Sequence, residues 1–194
     1  MHSDIKKIMI TFQTISSETY KKDHNKFQIY YDFYDAPFGR CIIGLTDTDK
    51  AILHFAFVVK DDTDAVKDLE NEWPMSKIIK DSIQMISNIM KDIFTLSNEK
   101  EEKSILVLLK GTDFQIEVWK ALMSIPKGKT TTYEQIAQLI NKPKAVRAVA
   151  TAIGKNRIAY LIPCHRVMGK DGSSKYSCGV KYKESILSYE SNTY

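Results

Sequence analysis

Three consecutive residues, Cys164, His165 and Arg166, place a thiol, an imidazole and a guanidinium side by side. A cysteine attacks as the thiolate, and neighbouring basic or cationic groups favour that form. Pro163 precedes them with a fixed φ and no N–H, so the chain is stiff there and the direction of the thiol is set. An apolar run, Ile158-Ala159-Tyr160-Leu161-Ile162, leads into the group. Two readings fit these residues: an activated nucleophile, or a small buried thiol beside incidental polar neighbours. The rest of the chain decides between them.

The other cysteines are Cys41 and Cys178. An odd, scattered set without a Cys-x-x-Cys pair argues against a disulfide framework and against zinc ligation. His2, His24 and His54 share the N-terminal half with Cys41 alone, too few ligands at irregular spacing for a metal centre. No metal and no cofactor are therefore expected. The net charge of +4, from 28 basic and 24 acidic residues, is mild. Its distribution is not: from Gly111 onward there are 13 Lys and Arg against 6 Asp and Glu, while residues 1–110 lean acidic. Such asymmetry fits a polyanion-binding C-terminal part, or a lysine-rich solubilising surface. No apolar run is long enough to span a bilayer and no signal-peptide core is evident. We expect no membrane association and a reduced compartment, the cytoplasm or, in a eukaryote, the nucleus.

The positioning elements follow from the hydrophobic pattern. Residues 1–26 are polar apart from 8–12, which suits an edge strand or partial disorder. Aromatic and β-branched runs at 27–34, 40–45 and 51–59 read as strands, with a turn at Ala36-Pro37-Phe38-Gly39. Residues 62–73 and 77–94 carry apolar residues at helical spacing and read as two helices separated by Pro74. A charged stretch, 95–103, reads as a linker, and 105–109 as a short strand. We place a domain boundary there, with an N-terminal structural domain over 1–98 and a C-terminal domain over 99–194. In the latter, 112–124 and 132–140 each begin as a capping box, Thr112 with Gln115 and Thr132 with Gln135. A tight Asn141-Lys142-Pro143 link then leads to a helix over 145–153, completing a helix-turn-helix pattern. That last helix has Ala145, Ala148, Ala150 and Ala152, with Arg147 as the single long side chain of its first half. Small residues permit close approach to a bulky partner, or equally a tightly packed core helix with an exposed arginine.

These blocks, taken in order, resemble the O6-alkylguanine-DNA alkyltransferases. The resemblance rests on Gly111-Thr112-Asp113-Phe114-Gln115, Val118-Trp119, Ile125-Pro126-Lys127-Gly128, Thr132-Tyr133, 142–149 (Lys-Pro-Lys-Ala-Val-Arg-Ala-Val), Asn156 and 162–167 (Ile-Pro-Cys-His-Arg-Val). It covers about the last 85 residues; the N-terminal half matches only in outline. The fold it implies is α+β: a strand-rich, ribonuclease-H-like α/β domain followed by a mostly helical domain with a winged-helix-like helix-turn-helix. The activity it implies is stoichiometric repair of double-stranded DNA by a monomer, passing the alkyl group of O6-alkylguanine, with O4-alkylthymine a second candidate lesion, to Cys164.

The resemblance also implies roles. His165 takes the thiol proton through water, and Glu190 orients it, ranked ahead of Glu184. Tyr133 donates a hydrogen bond to the departing guanine, and Asn156 braces the active-site turn. Arg147 fills the space of the extruded base from a helix in the minor groove, with Ala145, Ala148, Thr132 and Lys144 beside the DNA and Lys127, Lys129 and Lys142 near phosphates. Val167, Tyr176, Ser177 and Cys178 line the alkyl pocket. The chain departs from the family pattern between Cys164 and Tyr176, which is one residue shorter, and at Lys175 and Cys178, where glycine is usual; a side chain at 178 is expected to narrow the pocket against bulky alkyl groups. Other classes fit less well. A non-repairing lesion-binding relative lacks the cysteine. A regulatory helix-turn-helix needs base-reading polar side chains that 145–153 lacks. A cysteine hydrolase assembles its Cys and His from separate parts of the chain.

Overall fold

The computed structural model describes residues 8–81, 83–94, 103–173 and 179–192. Strands β1 (Ile8–Ile15), β2 (Ile29–Ala36), β3 (Gly39–Thr46), β4 (Ile52–Phe57), β5 (Ile78–Lys80) and β6 (Lys103–Lys110) form one sheet in the order β1-β6-β4-β3-β2-β5. The helices are α1 (Ser17–Asp23), α2 (Asp62–Glu72), α3 (Met85–Phe94), α4 (Asp113–Leu122), α5 (Tyr133–Leu139), α6 (Val146–Gly154) and α7 (Val180–Asn192). A two-stranded ladder, β7 (Thr131–Thr132) with β8 (Val167–Met168), completes the set.

The period-2 alternation of the central strands sends side chains to two separate cores. Ile42, Leu53 and Leu108 pack on one face with Tyr20, Ala65, Leu69 and Trp73 from α1, α2 and the end of α2. Cys41, Ile43, Ile52, Phe55, Phe57, Val107 and Leu109 face the other way, onto α3 and the C-terminal helices. The second core is continuous with the helical half, so the sheet supports the residues around Cys164 directly. The hairpin turn of β2 and β3 needs Gly39: its φ is +137°, and a Cβ there would stand 2.8 Å from the Tyr182 ring. Gly111 is required by close approach, since a Cβ would meet the Trp119 ring at 2.8 Å.

The 8–12 run is part of an edge strand, β1, paired in parallel with β6. β6 follows the 98/99 boundary in sequence, yet it hydrogen-bonds within the sheet between β1 and β4. The 95–102 stretch of the expected linker lies outside the described residues. Residues 77–94 are not one helix. Ile78 and Ile79 pair in parallel with Ile29 and Tyr30, as β-branched residues at a sheet edge readily do, and the helix begins only at Met85. Asp81 separates the two. Its carboxylate accepts from the N–H groups of Ile83 and Ile86, each at 2.9 Å, and so takes the place of a helix cap.

Both capping boxes form as the spacing requires, Thr112 with Gln115 and Thr132 with Gln135. α5 and α6 are joined through a 3-10 turn at Pro143–Ala145, and Trp119 Nε1 on α4 donates to the Ala152 carbonyl of α6 at 2.9 Å. Among the described residues no helix is long and apolar enough to cross a membrane. Asp81→Ala is expected to destabilise the protein by about 1–2 kcal/mol, seen as a lower denaturant midpoint at unchanged m-value.

Candidate active site

Residues 156–167 form a sharply folded segment held from two sides. On one, the β4 backbone clamps it: Phe55 N–H donates to the Arg157 carbonyl at 2.9 Å, and Ala159 N–H donates to the Phe55 carbonyl at 2.7 Å. On the other, the Asn156 amide gathers its groups. Asn156 Nδ2 donates to the carbonyls of Ile158 (3.3 Å) and Ile162 (3.1 Å) and to Cys164 Sγ (3.0 Å), while Oδ1 accepts from Ile158 N–H at 3.0 Å. A sulfur that accepts an N–H bond is favoured in its anionic form.

Two three-residue turns then present the cysteine. Leu161 N–H donates to the Ala159 carbonyl at 2.7 Å around Tyr160, whose φ is +63°. This is the rare positive-φ form of the γ-turn, strained for a bulky residue. Cys164 N–H donates to the Ile162 carbonyl at 2.7 Å around Pro163, whose φ of −80° suits the common inverse form. The strain at Tyr160 is offset by packing: its ring meets Phe38 at 4.9 Å and Phe94 at 5.0 Å, and lies within 8° of parallel to the His165 imidazole.

His165, Arg166 and Glu190 form a buried charged group. Glu190 Oε1 lies 3.0 Å from His165 Nε2, and Arg166 reaches both carboxylate oxygens through Nε at 3.2 and 3.0 Å and Nη2 at 2.5 Å. Gly128 N–H is a fourth donor to the carboxylate, at 3.3 Å, and Arg166 Nη1 donates to the Ile125 carbonyl at 2.6 Å. All three side chains are under 10 % exposed. Burial opposes ionisation of Glu190, but the bonds from His165 and Arg166 outweigh it and bring its pKa down to about 2. The ionised carboxylate can only accept, so His165 Nε2 carries the proton and Nδ1 holds the lone pair. Burial lowers the pKa of His165 and keeps it neutral, against the pull of Glu190 and with the support of Arg166 and Lys183. No described residue bonds to Nδ1, which is thus available as a base. Glu184, the other candidate orienter, is exposed on α7.

Tyr133 opens α5, directly after the β7 strand that pairs with β8. That ladder brings it beside the Cys164 turn, and burial followed by the cysteine's negative charge raises its pKa. Across the helix-turn-helix, α6 buries Val149, Ala152 and Ile153 and exposes Arg147, Ala148 and Thr151. These residues, with Lys144, the half-buried Ala145, Thr112, Phe114 and Gln115, line an open groove. Thr132 is half-buried and spends its hydroxyl on the α5 cap.

The structure therefore gathers Cys164, His165, Glu190, Tyr133 and Asn156, with Val167 fully buried behind them. Arg147, Ala148 and Lys144 share a separate exposed face. Tyr176, Ser177 and Cys178 lie outside the described residues. Two residues belong to the site in ways the sequence did not assign: Arg166, read there as a cation beside the thiol, holds Glu190, and Lys183 is fully buried with its ammonium on the Val167 carbonyl at 2.6 Å. The available signal for Lys183 was its spacing, since 183, 186 and 190 fall on one helical face. Among the described residues no three His, Cys, Asp or Glu side chains gather as a metal centre needs, and His54 pairs with Glu72 at 2.6 Å.

Comparison with known proteins sharpens this picture. Residues 113–192 match the family model described as 6-O-methylguanine DNA methyltransferase, DNA binding domain. The chain is 36% identical over 167 residues to a methylated-DNA–protein-cysteine methyltransferase of Methanosarcina barkeri, covering 84% of this chain and 98% of that one. It is 31% identical over 177 residues to the bifunctional transcriptional activator/DNA repair enzyme Ada of Escherichia coli, covering 91% of this chain but about half (49%) of that protein's length. Among solved structures, the Mycobacterium tuberculosis O6-methylguanine methyltransferase superposes with a TM-score of 0.64 at 30% identity, over 85% of this chain and 94% of that one. A structure of the M. tuberculosis protein in complex with DNA gives 0.61 at 28% identity, over 84% of this chain and 93% of that one.

Removing the Glu190 charge leaves the Arg166 guanidinium buried and unopposed, so Glu190→Gln is expected to cost about 3–5 kcal/mol. Its lowered pKa stabilises the fold above the ordinary value of 4.5, and that contribution is lost as pH falls toward about 2. His165, also lowered, adds a loss as pH falls below 6.5. Thermal midpoints across acid pH are expected to show both losses in the wild type and only the higher-pH one in the variant.

Proposed function

The chain belongs to the methylated-DNA–protein-cysteine methyltransferase family, and from that premise we propose that it repairs O6-alkylguanine in duplex DNA by moving the alkyl group, once, to Cys164. The observation that carries this reading is the sulfur held by Asn156 beside a neutral His165 that Glu190 fixes in one tautomer. A saturated carbon on guanine O6 is a soft electrophile that calls for a thiolate. His165 Nδ1 receives the thiol proton through water, the S–C bond forms as the C–O6 bond breaks, and the departing guanine takes a proton. We assign its supply to Tyr133: a phenol whose pKa is raised by burial stays protonated at neutral pH and can donate at guanine N3. The product is a thioether, which is not readily cleaved, so each molecule acts once. The Cys164–His165–Glu190 order follows the general logic of nucleophile, base and orienter.

A base inside a duplex is out of reach of a protein sulfur and has to be extruded. We assign that task to α6. Its exposed Ala148 and Thr151 permit close approach in the minor groove, where backbone contact rather than base reading is needed, and Arg147 occupies the stack position the guanine leaves. Lys144 and the Lys127–Lys129 turn stand near phosphates. The DNA complex of the M. tuberculosis relative supports this assignment of partner. We further propose that it acts as a monomer.

Incubation with an O6-methylguanine duplex is expected to add one methyl group to the peptide containing Cys164; methyl on another residue, or none, contradicts the proposal. Cys164→Ala is expected to abolish transfer while retaining DNA affinity. Arg147→Ala is expected to slow repair of duplex DNA by about tenfold or more, since unstacking costs a few kcal/mol, with little effect on the free methylated base.

A further inference from the structure

Tyr160 holds a backbone conformation that glycine would adopt without cost. Its φ of +63° belongs to the turn in which Leu161 N–H donates to the Ala159 carbonyl at 2.7 Å. A bulky residue is strained there, and such strain persists where the side chain is held by its surroundings and serves them. The ring is 9 % exposed. Phe38, at the tip of the β2–β3 hairpin, lies 4.9 Å from it, and Phe94, the last residue of α3, lies 5.0 Å away. Its plane is also within 8° of parallel to the His165 imidazole, with centroids 6.3 Å apart, inside the range of offset aromatic pairs.

His165 needs such a neighbour. The torsion that turns an imidazole about its Cβ–Cγ bond is broad, with no sharp minimum of its own. The bond from Nε2 to Glu190, at 3.0 Å, fixes one nitrogen of the ring, while Nδ1 has no bond among the described residues. A modest tilt therefore keeps the Glu190 bond and still swings Nδ1 away from the proton it has to receive. A flat ring packed along the imidazole face resists that tilt. Phe38 supports both constraints at once. It packs on Tyr160 and also, edge to face at 5.8 Å, on Tyr189, which directly precedes Glu190 on α7.

We propose that Tyr160 is a positioning residue for His165: its ring, fixed by the turn and by Phe38 and Phe94, sets the plane of the imidazole and so the direction of Nδ1. Tyr160 itself gains no proton and forms no bond in the reaction; the thiol proton goes to His165 Nδ1 by way of water, as above. The role belongs to the aromatic ring and not to its hydroxyl, so phenylalanine fulfils it and leucine does not. The proposal deepens the function given above and rests on it for the alkyl donor, but the orientation of the imidazole is independent of that donor.

The test measures single-turnover methyl transfer from an O6-methylguanine duplex by the full chain. Tyr160→Leu is expected to be about tenfold slower than the wild type, and Tyr160→Phe within about twofold of it, as loss of part of a general-base contribution implies. Tyr160→Gly, which removes the backbone strain together with the ring, is expected to be as slow as the leucine variant. In a His165→Asn background, Tyr160→Leu is expected to slow transfer no further, because the group it positions is gone. Equal slowing in both backgrounds overturns the proposal. So does a folded Tyr160→Leu protein with the wild-type rate, or a Tyr160→Phe protein as slow as the leucine variant. Nitrogen-15 spectra of the imidazole, recorded without DNA, decide the matter even where the variants fail to fold: the wild type is expected to show a single His165 tautomer with a slowly exchanging Nε2 hydrogen, and mixed tautomers or an averaged ring overturn the proposal. Absence of methyl transfer beside a fixed wild-type ring and a loosened ring in Tyr160→Leu counts against the DNA reading and not against the role of Tyr160.

Discussion

The carboxylate of Glu190 is the constraint on which the site depends. It is buried, ionised and shared by an imidazole, a guanidinium and a backbone N–H that come from separate parts of the chain. A buried carboxylate is tolerable only when its acceptor sites are filled, and here four donor groups fill them. In doing so it docks α7, the Cys164 turn and the loop after α4 onto one another. The same contacts determine the chemistry, because a carboxylate that only accepts forces the proton onto His165 Nε2 and leaves Nδ1 basic. Structural and chemical roles cannot be separated at this residue.

Around that anchor, the sheet acts as a mould for a segment that would not hold its shape alone. The turn at Tyr160 places a bulky side chain at positive φ, a conformation that costs about 1–3 kcal/mol and persists only where the surroundings over-determine it. Phe55 clamps the backbone on both sides of Ile158, and Phe38, at the tip of the β2–β3 hairpin, packs on the Tyr160 ring. Through Tyr160 the hairpin also reaches His165. The N-terminal half therefore contributes to the site by packing and backbone contacts rather than by a group that touches the reacting atoms.

What the sequence disclosed follows the range of the interactions. The two capping boxes close within four residues, so Thr112 and Thr132 could be read as helix starts from spacing alone. Glu190 was preferred to Glu184 by resemblance, and burial on the face of Ile186 accounts for the preference physically. Residues 77–94 misled because isoleucines at 78, 79, 83, 86 and 89 serve a strand or a helix equally well; only the neighbouring β2 strand and the Asp81 carboxylate decide where one stops and the other begins. Lys183 was passed over, and Arg166 was read as a neighbour of the thiol rather than as the partner of Glu190, because long cationic side chains ordinarily seek solvent and nothing local announces the acceptors that hold them. The φ of Tyr160 left no trace in the sequence at all, since glycine or asparagine would be the expected marker of such a turn.

The most direct test is a titration of the protein with excess duplex DNA carrying isotopically labelled O6-methylguanine, counting label on protein and guanine restored in DNA. The account predicts a plateau at about one methyl group per chain, with an equal amount of guanine regenerated and no further turnover, as a thioether at a single cysteine requires. Continued turnover beyond that plateau, or restoration of guanine with no label retained on the chain, would contradict it.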